Sequence, residues 1–331
     1  MKGLLSVRNL QHHYRVRKRR IFSSDTRPLK AVDGISFEVS PGEMFGIVGE
    51  SGCGKSTTAR LLLGHLPATS GNVFFSGERV SAVFDANWRR MRRRMQMVYQ
   101  DPLSALDPRI TVTRQIEEPL LIHMAGMAPA ERRERVACLM ADVGLSDHLG
   151  ERFPHELSGG QRQRVIIARA LAVQPELIVF DEPVSALDVS VQAQVLNVLE
   201  DIRARTSFTG VFISHDLKVV RQVADRVAVM YLGKIVELAP ADEIFAEPAH
   251  PYTRALVSAV PAPRRGLRNR ILLNGEPPNP LDVPSGCPFH TRCPEAQSIC
   301  RSIAPELLNY GRRAVACHLV SDPTAAAGGA A

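Results

Sequence analysis

Met44-Phe45-Gly46-Ile47-Val48-Gly49-Glu50-Ser51-Gly52-Cys53-Gly54-Lys55-Ser56 is the stretch on which the reading of this chain turns. Its first five residues are a compact apolar run, the composition of a strand buried on both faces. The next eight satisfy G-x-x-x-x-G-K-[ST], a loop whose glycines let backbone N–H groups converge on phosphate oxygens without Cβ obstruction. Lys55 adds a point charge on the same oxygens, and the Ser56 hydroxyl can ligate Mg²⁺. Cys53 occupies a free position of the pattern, where the backbone does the binding. A helical pattern follows over 55–63 and is stopped by Gly64 and Pro67. With Gly at about 7% of residues, a chance match belongs to on the order of one chain in a hundred of this length, and the flanking strand and helix make chance rarer still.

Working outward, Leu177-Ile178-Val179-Phe180 is a second buried-strand run, and it ends in Asp181-Glu182. A strand end facing the loop fixes Asp181 to complete the Mg²⁺ shell, and Glu182 is placed to orient or deprotonate an attacking water. A third run, 210–213, ends in Ser214-His215-Asp216. Short strands are predicted over 4–10, 35–39 and 72–76, and another over 92–100 delivers Gln100 to a loop. Helical patterns cover 113–148, 161–172 and 191–203. Alternation of buried strands with helices predicts an α/β domain around a parallel sheet.

Of 331 residues, 45% are hydrophobic and 23% charged, the balance of a soluble globular protein. No apolar run approaches the roughly 18 residues of a membrane span. The N-terminus meets charge too early for a signal peptide, so the chain is expected to stay in the cytoplasm unless a partner holds it elsewhere. The net charge of +7 suggests acidic company. Basic clusters at 15–20 and 89–94 read as a solvated loop and an exposed helix face. No helix-turn-helix, zinc finger or aromatic platform accompanies them, which argues against a specific nucleic-acid partner. Anionic lipid headgroups are the more economical target.

Past residue 246 prolines cluster and regular structure is expected to thin out; a boundary is placed near 245–260. Four of the six cysteines lie there: Cys287, Cys293, Cys300 and Cys317. Disulfides are disfavoured in a reducing compartment. Four thiolates suit a [4Fe–4S] cluster or a Cys₄ zinc site, although the spacing is not that of a zinc ribbon. His290 and His318 are the alternative ligands to weigh, and reduced thiols the plain reading. The end, from 321, is low-complexity and expected to be disordered.

Between the phosphate loop and the acidic strand end lies Leu157-Ser158-Gly159-Gly160-Gln161, which resembles the signature of the ATP-binding cassette (ABC) family. The resemblance implies a P-loop ABC ATPase domain over 1–250: a parallel-sheet core, an antiparallel β subdomain and a helical subdomain at about 101–165. It implies that Leu157, Ser158, Gly159, Gly160 and Gln161 close over ATP held by a second cassette. It adds Gly49, Glu50, Ser51, Gly52, Cys53, Gly54, Lys55, Ser56 and Thr57 as ATP contacts, with Tyr14 stacked on adenine from a loop after the first strand. Gln100 then senses Mg²⁺ and water, His215 contacts the γ-phosphate as a switch, and Asp188 belongs to the loop crossing the dimer seam.

The stretch 275–294, with Gly286-Cys287-Pro288-Phe289-His290-Thr291-Arg292-Cys293-Pro294, is similar to the C-terminal extension of oligopeptide and dipeptide importer ATPases. Segments 100–109 and 183–190 resemble the F type of their two paired subunits. The implied function is ATP-driven peptide uptake, with catalytic Glu182 and His215 and with Mg²⁺ at Ser56, Gln100 and Asp181. The implied partners are a second ATPase subunit (a D-type sibling or a second copy), two membrane permeases and an exported binding protein, at the cytoplasmic face of the membrane. Some members of that group carry an iron–sulfur cluster on these cysteines. Alternatives are import of nickel or another small solute, a soluble ATPase acting on nucleic acid or ribosomes, and an extension that senses redox state.

Overall fold

The computed structural model describes residues 3–20, 23–260, 271–273 and 275–320, with side chains described outside 17–26. The expected disordered end from 321 lies outside them. In chain order the strands are β1 (Leu5–Arg20), β2 (Ser23–Val39), β3 (Met44–Val48), β4 (Ser70–Phe75), β5 (Glu78–Arg79), β6 (Met95–Val98), β7 (Leu177–Asp181), β8 (Thr209–Ser214), β9 (Arg226–Tyr231), β10 (Lys234–Pro240), β11 (Leu308–Tyr310) and β12 (Arg313–Val315). The helices are α1 (Lys55–Leu62), α2 (Ala86–Arg94), α3 (Pro102–Ala105), α4 (Val112–His123), α5 (Pro129–Asp142), α6 (Gly159–Leu171), α7 (Val189–Thr206), α8 (Leu217–Val223), α9 (Ala241–Ala246), α10 (Pro251–Ser258) and α11 (Ile299–Ser302).

Two sheets carry the fold. The larger runs β11-β12-β10-β9-β3-β8-β7-β6, parallel from β9 through β6 and antiparallel from β9 out to β11. The smaller, antiparallel throughout, runs β2-β1-β4-β5. Every residue of β3, β7 and β8 is buried, as the continuous apolar runs require. Strand alternation sorts their side chains: Phe45, Ile47, Val179, Val211 and Ile213 face a layer made of α1 and the small sheet, where Phe37 stacks on Phe45 at 4.8 Å. Met44, Val48, Phe180 and Phe212 face the helices on the other side.

The predicted 113–148 helical stretch is two helices. Gly126 and its neighbours interrupt it, and Pro129 starts α5 at a position where its missing N–H costs nothing. Val112, Ile116 and Leu120 form the i, i+4, i+8 stripe of α4, packed with Val136, Leu139 and Met140 of α5 and Val165 and Ile166 of α6. The basic stretch 15–20 is strand rather than loop, because β1 pairs with β2 through Arg20. Residues 92–94 end α2 and precede β6, and the hairpin β9–β10 was not anticipated from the sequence. Regular structure is sparse past residue 260 among the described residues, yet β12 joins β10 through Glu237↔Val315 and Leu238↔Ala314, so the C-terminal region extends the main sheet.

Candidate ATP-hydrolysis site

Strand β3 delivers the phosphate loop to the carboxyl edge of the parallel sheet, and β7 and β8 end beside it in the registers Val48↔Ser214 and Asp181↔Ile213. Gly54 closes the loop at φ +108°, and a Cβ there would come within 2.0 Å of the Ala31 carbonyl oxygen. Only glycine fits. Lys55, nearly buried, donates to the carbonyls of Gly49 (2.8 Å) and Glu50 (3.0 Å) and lies 3.9 Å from Glu182 Oε1. Cys53 is buried, and burial pushes its thiol pKa up, which fits a packing role.

Ser56 Oγ donates to Asp181 Oδ1 at 2.9 Å, bringing together the two oxygens expected to hold Mg²⁺. Burial raises the Asp181 pKa, aided by the adjacent Glu182 charge and opposed by Ser56, so a cation here would relieve an unfavourable carboxylate. Glu182 turns out of the strand with φ +47°, uncommon for a residue with a side chain, while its N–H donates to the Ile213 carbonyl at 2.9 Å. That turn gives the successive acids different partners, Ser56 for Asp181 and Gln100 with His215 for Glu182. Glu182 Oε2 accepts from Gln100 Nε2 (3.2 Å) and lies 3.0 Å from His215 Nδ1. Lys55, Gln100 and His215 thus converge on one buried carboxylate from three separate elements.

Around them lies a cavity of about 350 Å³ lined by Tyr14, Ala31, Ser51, Gly52, Gly54, Lys55, Ser56, Thr57, Gln100 and Glu182. Tyr14 reaches it from β1 itself, not from a loop; its hydroxyl is 3.5 Å from Thr57 Oγ1 and its ring meets His12 edge-on at 4.5 Å.

The signature residues are elsewhere. None of 157–161 lines this cavity among the described residues. Ser158 caps α6: its Oγ accepts from the Gln161 N–H (3.2 Å), and Gln161 Oε1 accepts from the Ser158 N–H (2.9 Å). Leu157 is buried beneath, Gly159 packs by Leu187, and a Cβ on Gly160 would meet Val191 at 2.3 Å. Asp188 caps α7 by accepting from Ser190 (3.2 Å) and Val191 (3.0 Å) backbone N–H groups, next to an 83% exposed Val189. Both helix starts present exposed residues, Ser158 on one and Asp188, Val189 and Ser190 on the other.

The C-terminal cysteines gather in one place. The Cys287 thiol pKa is pushed up to about 11, first by burial and then by the nearby Cys300, Cys317 and Cys293. All six cysteines are free. Yet no three His, Cys, Asp or Glu side chains converge to hold a metal among the described residues. His290 Nδ1 and His318 Nε2 face the carbonyls of Cys287 and Ile303 instead, each at 2.9 Å. The expected [4Fe–4S] or zinc ligand set is therefore not assembled in this arrangement.

Sequence reading missed Arg292, whose guanidinium grips the Glu50 carboxylate of the phosphate loop at 2.8 and 3.0 Å. Nothing in a single sequence links positions 50 and 292. A second feature, a groove of about 440 Å³ lined by Trp88, Arg92, Tyr99, Glu118, Ile122 and Arg169, lies between the α2–β6 segment and the α4/α6 helices.

The ABC transporter family model matches residues 32–185. Two dimeric structures of the ATP-binding cassette MJ0796, one bound to ADP and Pi, align with TM-score 0.63 at 28% and 27% identity, covering 72% of this chain and 98% of theirs. The fold and site therefore define an ATP-binding cassette, an ATPase. The model of the oligopeptide/dipeptide transporter C-terminal region matches residues 236–300. Similar over nearly their whole lengths are the oligopeptide transport ATP-binding proteins AppF of Bacillus subtilis (48% identity; 96% of this chain, 98% of that one) and OppF of Escherichia coli (48%; 97% of each). The di/tripeptide transport ATP-binding protein DppF of Pseudomonas aeruginosa is 48% identical over 96% of this chain and 98% of its own. This chain belongs to the oligopeptide/dipeptide transport ATP-binding proteins of the ABC transporter family.

Proposed function

We propose that this chain hydrolyses ATP to drive uptake of di- or oligopeptides, acting in a pair of cassettes beneath two membrane permeases. The observation that carries the chemistry is the buried Glu182 carboxylate held by Gln100 and His215 beside Lys55. Lys55 and the loop N–H groups bind the phosphates, and Tyr14 supports the base. Glu182 takes the proton of the attacking water, Gln100 positions that water, and His215 reports the γ-phosphate through its contact with Glu182. Ser56 and Asp181, with Gln100 near, would hold Mg²⁺, which when bound neutralises charge on the phosphate oxygens.

The separation of 157–161 from the cavity supports completion of each site by Ser158, Gly159 and Gly160 of a second cassette, with Asp188 at the seam. That second cassette is a sibling subunit or another copy of this chain. The 440 Å³ groove, flanked by the exposed Leu121 and Ile122, supports docking of a permease segment beside Gln100. No helix among the described residues is long and apolar enough to cross a membrane; attachment through the permeases at the cytoplasmic face is the proposed location. An exported binding protein would deliver the solute. The relatives' names favour peptides over nickel or nucleic acid.

For metal other than Mg²⁺, Cys287, Cys293, Cys300 and Cys317 are the set that a [4Fe–4S] cluster or Zn²⁺ would use. Iron, sulfide and zinc assays on anaerobically purified protein decide whether they do.

The test of the central reading is Glu182→Gln. ATP binding should persist while turnover falls by about a hundredfold or more, leaving a stable nucleotide-bound dimer on size exclusion. Turnover near the parent's would remove Glu182 from its role.

A further inference from the structure

Glu50 is held at all three of its polar groups, and two of the three grips come from beyond residue 250. Its carboxylate is clamped in two-pronged fashion by Arg292, at 2.8 and 3.0 Å. Its N–H donates to the Tyr252 hydroxyl at 3.0 Å, and its carbonyl accepts from Lys55 at 3.0 Å. The Arg292 side chain is 7% exposed, so the pair works largely out of water, where a planar guanidinium–carboxylate match is strongest. Burial alone would lower the Arg292 pKa; the Glu50 carboxylate, helped by the Tyr231 hydroxyl, outweighs it and raises the value.

The platform beneath is rigid. Tyr252 is fully buried in α10. Phe289, 1% exposed, meets Tyr231 edge-on at 5.4 Å and packs on Tyr252 at 5.4 Å and on His250 at 5.7 Å. The turn carrying Arg292 is pinned by the Arg292 N–H on the Phe289 carbonyl (3.0 Å) and the Cys287 N–H on the Cys300 carbonyl (2.8 Å).

We propose that Arg292 is a positioning residue of the ATP site, through which the C-terminal extension holds the first turn of the phosphate loop in its nucleotide-binding shape. The proposal rests on the ATP-site reading above. It makes the extension part of the catalytic apparatus: whatever moves the turn between Cys287 and Cys293 moves Glu50, and with it the backbone that receives the phosphates. Arg292 acts through the Glu50 side chain that it clamps.

The experiment uses the full chain with its cognate cassette and a fluorescent ATP analogue. Arg292→Ala should raise the dissociation constant about tenfold, the usual scale for a lost charge-assisted pair, and the ATP KM in step, with kcat changed far less. Arg292→Lys should recover part of the loss. Tyr252→Phe keeps the ring, removes only the acceptor, and should weaken binding by a smaller factor. Glu50→Gln should weaken binding in its own right, and the Arg292→Ala/Glu50→Gln double variant should bind no worse than the weaker single, because both break one link. Melting temperature recorded on each variant separates a folding defect. Unchanged affinity in a folded Arg292→Ala chain, or losses that simply multiply in the double variant, would overturn the proposal. A parent chain that binds no ATP would overturn the site reading and this proposal together.

Discussion

Glycine and glutamate hold the two least negotiable positions of the site, for opposite reasons. At Gly54 the backbone needs a positive φ and the space where a Cβ would sit is filled by the Ala31 carbonyl. Gly54→Ala should therefore abolish nucleotide binding outright, measured by the same fluorescent analogue, even though alanine is a better helix former. At Glu182 the strained backbone is retained despite a side chain, since it swings the carboxylate off the strand toward Gln100 and His215. The sequence exposed both positions clearly. The motif spacing located Gly54 and Lys55, and the apolar run before Asp181-Glu182 located the acids. Gln100 and His215 were legible only through resemblance, as a lone glutamine or histidine carries no periodic or spacing signal. Arg292 was invisible: a bond spanning 242 positions leaves no local trace.

Among the elements, the buried parallel strands were the easiest to read, because two covered faces demand an unbroken apolar run. Boundaries failed where tertiary pairing overrode composition. Residues 15–20, dense in arginine, are strand because β2 lies alongside. β11 and β12 escaped notice because three-residue strands give too few positions for an alternation to count. The extension is nonetheless fastened by an aromatic cluster, with Phe289 at its centre. Phe289→Ala should cost about 3–5 kcal/mol, the range for truncating a buried aromatic ring. Denaturant unfolding measures it, and a loss under about 1 kcal/mol would show that the cluster collapses over the gap.

For the whole molecule, acidity should be felt first through buried imidazoles. His250 accepts the Tyr252 N–H at 3.0 Å, and burial holds its pKa down to about 3; burial and Arg92 hold His65 down to about 4. Both are neutral when folded, while the unfolded chain takes up protons near pH 6.5. The unfolded state therefore binds more protons between about pH 6.5 and pH 3, and stability falls as pH drops through that window. His250→Asn keeps a cap acceptor and removes the titration. Its stability should decline less steeply from pH 7 to pH 4 than the parent's, by chemical denaturation at each pH; parallel slopes would acquit His250.

The continuity of the large sheet across β10 and β12 also limits how this protein can be cut. Glu237 on β10 is fully buried, accepts the N–H groups of Ala249 and His250 at 2.9 Å each, and has Arg313 of β12 at 3.9 Å. Trimming the chain to an ordinary cassette near residue 250 would bare an edge ready to pair with another molecule and strip a sealed anion of its counter-charge. Such a fragment is expected to clump during expression rather than behave as a minimal motor, so biochemists wanting the engine alone must keep its trailing end.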